Sequence, residues 1–85
     1  MDNRLHVGNL PSSATEEDLL TKFGQFGIVK SAKIMRDERT GQSRHFGFVQ
    51  MSTSAEAAAA INRLNFAQYD NRTISVSLVR DKRAN

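Results

Sequence analysis

The 85-residue chain has no cysteine, so disulfide staples and thiolate chemistry are excluded and packing alone must hold the fold. It also lacks any long apolar run. Met1-Asp2-Asn3-Arg4 leads directly into a short alternating segment, so neither a signal peptide nor a membrane span is expected. The expectation is an intracellular protein of nucleus or cytoplasm, not secreted and without a membrane partner. Clusters of metal-ligating type are missing as well. The two histidines, His6 and His45, stand without a third ligand, so no metal and no cofactor are expected. The one proline, Pro11, falls with Gly8 and Asn9 at the exit of the first apolar segment, where it punctuates a strand end.

What is present suffices for one small domain. A hydrophobic share of 39% with periodic apolar positions supports a modest core. The net charge of +3 is mild, but its distribution is informative. Glu16, Glu17, Asp18 and Glu56 gather in what read as first turns of helices, where they favour the helix dipole. Lys30, Lys33, Arg36, Arg44, Arg80, Lys82 and Arg83 gather along presumed strands and the tail. Acids on one layer and bases on another give a basic face.

The most informative segment is Arg44-His45-Phe46-Gly47-Phe48-Val49-Gln50-Met51. In a strand, residues two apart share a face, so Arg44, Phe46 and Phe48 line one surface while Val49 and Met51 line the other. Burying the phenylalanines would bury a charge with them. The cheaper solution buries Val49 and Met51 and leaves two aromatics exposed beside an arginine, an arrangement suited to stacking flat bases near a phosphate.

This octapeptide resembles the long signature submotif of the RNA recognition motif family. That pattern runs basic, glycine, aromatic, glycine or alanine, phenylalanine, valine, any residue, aromatic. His45 stands in place of the glycine and Met51 in place of the final aromatic; the other specified positions match. Leu5-His6-Val7-Gly8-Asn9-Leu10 resembles the family's short submotif, whose second residue is normally a base-stacking aromatic and is here His6.

The remaining elements are spaced to suit. Thr15 reads as a helix N-cap with Asp18 closing a shortened capping box, and Leu19, Leu20 and Phe23 form an apolar stripe ending near Gly24. A second strand runs from about 28 to 36, with Val29, Ala32 and Ile34 inward and a bulge between the first two. Residues 37 to 43 form a polar loop. Thr53 with Glu56 reads as a cleaner capping box, ahead of a helix burying Ala57, Ala58, Ile61 and Leu64. Asp70-Asn71 signals a turn, and Ile74 and Val76 alternate with Ser75 and Ser77 in a last strand.

The order is βαββαβ, which implies an α+β, ferredoxin-like sandwich: a four-stranded antiparallel sheet with two helices on one face. The first and third strands lie in the middle, so His6, Phe46 and Phe48 meet on the open face. Leu19, Phe23, Ile61, Leu64, Val7, Val49 and Ile74 form the core beneath. Residues 1–80 make the module and 81–85 a short basic tail.

The function this implies is binding of single-stranded RNA on the open sheet, in the service of post-transcriptional processing or regulation, by a monomer. Phe46, Phe48 and His6 stack bases, Arg44 holds a phosphate, and Lys33 and Met35 flank the site. Ser75 and Ser77 offer hydrogen bonds, and Arg80, Lys82 and Arg83 add charge after the last strand. Two stacking contacts supply roughly 2–6 kcal/mol, short of the roughly 8 kcal/mol of a micromolar complex, so polar contacts must supply the rest. The alternative is a protein partner on the helix face, a use some members of the family make of this fold. Catalysis is not expected. The stretch after the first strand, Gly8 to Ala14, carries no basic residue to cradle a phosphate, and no nucleophile–base pair is spaced for chemistry.

Overall fold

A computed structural model describes residues 3–79. Strand β1 (Arg4–Gly8) is followed by α1 (Glu16–Gly24), β2 (Val29–Arg36), β3 (Ser43–Met51) and α2 (Ser54–Leu64). Two short strands, β4 (Gln68–Tyr69) and β5 (Arg72–Thr73), precede β6 (Ser75–Leu78). The four long strands form an antiparallel sheet in the order β2-β3-β1-β6, with β1 and β3 central. This is the ferredoxin-like βαββαβ sandwich with one small hairpin added. No helix among the described residues is long and apolar enough to cross a membrane.

The period-two alternation of β1 and β3 decides which side of the sheet is covered. Leu5, Val7, Val49 and Met51 are fully buried with Ile34, Ile74 and Val76, beneath Leu19 and Phe23 of α1 and Ala57 and Ala60 of α2. Leu10, Ala14 and Tyr69 join this core, while Ile61 and Leu64 pack against it half-buried. Two stripe assignments are corrected. Leu20 is 44% exposed, and Ala58 is exposed where Ala60 is buried. Each residue turns a helix by about 100°, so Leu20 beside Leu19, and Ala58 beside Ala57, point away from a sheet that meets only one narrow face.

Both helices start at threonine caps, but the completeness of the two boxes is the reverse of expectation. The Thr15 hydroxyl accepts from the Asp18 amide at 3.1 Å and the Asp18 carboxylate accepts from the Thr15 amide at 3.2 Å, so the shorter acid closes the box. Thr53 accepts from the Glu56 amide at 3.1 Å, yet the Glu56 carboxylate receives the Ser52 hydroxyl instead. The Glu56 side chain lies against Gly27, where any Cβ would collide with it, and is drawn to that turn rather than back to its own cap.

The bulge expected early in β2 is present, as a register shift between Val29 and Ser31. A second shift, between Ile34 and Arg36, faces residues 44 to 46 of β3 and contains His45, whose φ is +68°. Next to it Gly47 is required for close approach. A Cβ there would strike the Lys33 carbonyl oxygen and stand 3.3 Å from the Ile34 Cα. The β4–β5 hairpin turns on Asp70 and Asn71, both left-handed (φ +48° and +69°), the geometry of a two-residue type I′ turn. At the sheet's two sides, Glu16 accepts from the Ile34 amide at 2.9 Å and pairs with Arg36 at 3.1 Å, and the Asn65 side chain accepts from the Val76 amide at 2.9 Å.

Candidate nucleic-acid interface

Because strand neighbours are in register, the outward side chains form rows across the uncovered face. Lys33 pairs with Phe48, Phe48 with His6, and His6 with Ser77, so one row crosses all four strands. The next row runs from Phe46 through Gly8 to Ser75. Three rings occupy the centre. His6 and Phe46 stack with centroids 5.5 Å apart and planes 25° apart. Phe48 meets both edge-on, 5.6 Å from His6 and 5.9 Å from Phe46. Each ring shields part of another, which is why His6 and Phe46 are half-buried while Phe48 is 36% exposed. Val49 and Met51, on the alternate phase, are 1% and 0% exposed, so the strand phase read from the octapeptide is the one observed.

Gly8 keeps the second row low. A Cβ on it would come within 2.8 Å of the Ser75 hydroxyl and 3.3 Å of the His6 ring. Lys33, Ser75 and Ser77 are exposed, Met35 is half-buried two residues along β2 from Lys33, and Arg44 is exposed ahead of the β3 bulge. Arg80, Lys82 and Arg83 lie outside the described residues.

The Ile34 amide and Arg36 hold Glu16 below the usual carboxylate range, the Tyr69 hydroxyl and the Thr15 amide do so for Asp18, and the Ser52 hydroxyl for Glu56. All three are engaged at helix starts. Among the described residues no carboxylate pairs with Lys33 or Arg44. The helix side carries a cleft of about 470 Å³ lined by Asp18, Thr21, Lys22, Gln68, Tyr69 and Asp70. Its polar groups already serve one another: the Tyr69 hydroxyl donates to Asp18 at 2.6 Å, and the Lys22 ammonium stands 4.4 Å from the Tyr69 ring centre. Burial, with Asp18 second, pushes the Tyr69 hydroxyl well above its ordinary value.

His45 is the main correction at the site. A strict period of two puts it on the helix side, opposite Phe46; it is exposed instead, with a left-handed backbone. The family pattern's glycine at this position is thereby explained, since glycine adopts this conformation without a Cβ penalty. The histidine recovers part of the cost by reaching the β1–α1 connection. Its Nδ1 donates to the Leu10 carbonyl at 2.8 Å, and its own carbonyl accepts from the Leu10 amide at 2.9 Å. A second tie was also missed. Arg72 donates to the Asn9 side-chain oxygen at 2.7 Å, and Asn9 donates to the Thr73 carbonyl at 2.8 Å, fastening the exit of β1 to the small hairpin. Asn9 in the short submotif was the available signal, but its partners lie more than sixty residues away.

A family model described as the RNA recognition motif matches residues 5–75. The chain belongs to the RNA recognition motif family. Glycine-rich RNA-binding protein 1 of Mycosarcoma maydis is 39% identical over 84 residues; the match takes in 99% of this motif's chain but only 48% of that protein, so the chain spans about half the length of this relative. Among solved structures, the crystal structure of RNA-binding protein PG1 superimposes with a TM-score of 0.88 at 37% identity, covering 93% of this chain and 95% of that one. The Sxl-lethal protein in complex with RNA gives 0.87 at 36% identity, covering 92% of this chain and 48% of that one.

Proposed function

We propose that this RNA recognition motif binds short single-stranded RNA across the open face of its sheet. The observation that carries this is the His6–Phe46–Phe48 ring cluster at the centre of a face that neither α1 nor α2 covers. Bases stack on Phe48, Phe46 and His6, and Arg44 and Lys33 take phosphates. Met35 packs against the flanking base. Ser75 and Ser77 read base edges, and Arg80, Lys82 and Arg83 extend the charge beyond β6, residues 1–80 acting as the module and 81–85 as its tail. The activity is binding rather than catalysis, by a monomer inside the cell, in the processing or regulation of transcripts. Relatives and neighbours with RNA in their names support this reading. A second reading, a protein partner on the helix side, rests on Leu20, the exposed apolar residue of α1.

An NMR titration with a mixed pool of short single-stranded RNAs tests the proposal. Amide shifts concentrated in residues 5–8, 44–49 and 75–79 are expected. No shift at millimolar RNA overturns it and turns attention to the helix side.

A further inference from the structure

Phe66 has an unusual combination of properties. It is the most exposed large hydrophobic residue described, at 75%. It is also left-handed, with φ +68°. A bulky residue in that conformation is a genuine outlier, and outliers of this kind concentrate where function holds them.

The local hydrogen bonds show what the position is. The Phe66 amide donates to the Ile74 carbonyl at 2.9 Å, and the Ile74 amide donates to the Ala67 carbonyl at 2.9 Å. Two residues thus oppose one, a β-bulge whose first position is left-handed and is ordinarily filled by glycine. His45 occupies a comparable position but gains a side-chain hydrogen bond there. Phe66 gains no such bond, and its ring stands in solvent. Local packing therefore gives no reason to have phenylalanine where glycine is unstrained.

The position has a neighbour that does. Asn65 is tied to Val76 and Phe66 to Ile74, so the segment is pinned along the outer side of β6, next to Ser75. Ser75 ends the row that begins at Phe46 and crosses Gly8. Phe66 therefore lies at the border of the sheet just beyond β6, three strand spacings or roughly 14 Å from β3.

We infer that Phe66 is a further stacking platform, which takes a base of the same RNA strand after it has crossed β6. The inference rests on the RNA-binding reading above. Pinning by Asn65 and Ile74 orders the segment before binding, so little freedom is lost when the base arrives. The left-handed strain persists because glycine, the unstrained choice, carries no ring.

Phe66→Gly separates the two properties. It relieves the backbone and deletes the platform, so its melting temperature should rise or hold while its RNA affinity falls. Affinity is measured by fluorescence anisotropy for mixed-sequence RNAs of four and eight nucleotides, with Phe66→Leu as a second variant that keeps an apolar side chain but no ring. The expected result is a loss of roughly five-fold or more for the octanucleotide with both variants, and little change for the tetranucleotide, which the central rings occupy. Wild-type binding of the octanucleotide with no loss in either variant overturns the inference and leaves the exposed ring to a protein surface. Failure of the wild type to bind either RNA overturns the RNA-binding reading itself, and this inference with it.

Discussion

Strands β1 and β3 present two surfaces built from the same backbone. On one, Leu5, Val7, Val49 and Met51 meet the helices and are closed to water. On the other, His6, Phe46 and Phe48 touch mainly one another and remain accessible. The residues interleave one by one, so stability and recognition are separated by a single step along the chain. Rings on the open face are not waiting for a core. A base that lands on them removes apolar surface already partly shielded by the ring next door, and the sheet beneath does not have to move.

Perturbing one face at a time tests this separation, and the covered face should respond most. Leu5→Ala leaves a cavity under both helices and should cost about 2–5 kcal/mol, read as a fall in the denaturation midpoint, while the folded fraction binds RNA as before. An equal loss of affinity per folded molecule would show the two faces to be coupled. Phe48→Ala should do the opposite, weakening RNA binding by about 1–3 kcal/mol with only a small fall in melting temperature from the lost ring contacts. A melting temperature as low as that of Leu5→Ala would place Phe48 in the core.

Acid should act through the helix side. Glu16, Asp18 and Glu56 are held below their usual range by hydrogen bonds, Ile34, Tyr69 and Ser52 being the leading partners. The unfolded chain therefore binds more protons than the folded one as pH falls through the ordinary carboxylate range. Stability should hold through neutral pH and decline below about pH 4.5. The Tyr69 hydroxyl, shifted up, acts in the opposite sense: the unfolded chain loses its proton first, so stability should fall again above about pH 10. A melting temperature flat from pH 3 to 7 would remove the acid part of this account. The smallest effect belongs to Lys33→Gln, which should weaken binding slightly and reduce the salt slope by about 0.7; an unchanged slope would take Lys33 off the phosphates.

The parts of this design that alternation and capping govern were readable from the chain. Phe46, Phe48, Val49 and Met51 fall on the faces that a period of two assigns them, and Thr15 with Asp18 closes the first helix cap as their spacing suggests. What escaped reading depends on backbone geometry or distant partners. His45 and Phe66 are ordinary residues by type; only their positive φ marks them, and nothing in local composition reports it. Strands of two residues, as in β4 and β5, carry no period, so Asp70-Asn71 read as a turn but not as a hairpin. Tyr69 was missed in the core because its hydroxyl finds Asp18, a partner fifty-one residues earlier.

The stoppers on the sheet's two sides, Glu16 on β2 and Asn65 on β6, have a consequence for how the molecule behaves among its own kind. An outermost strand offers a ladder of unpaired amides to any other extended chain, and that ladder is where sheets join and precipitate. Here each border strand has a donor already taken by a side chain from its own helix layer, at Ile34 on one border and Val76 on the other. The Glu16 stopper is a charge as well, and β2 is further bent by its two register shifts. Among the described residues, the sheet that carries the open face thus has one edge donor blocked on each border.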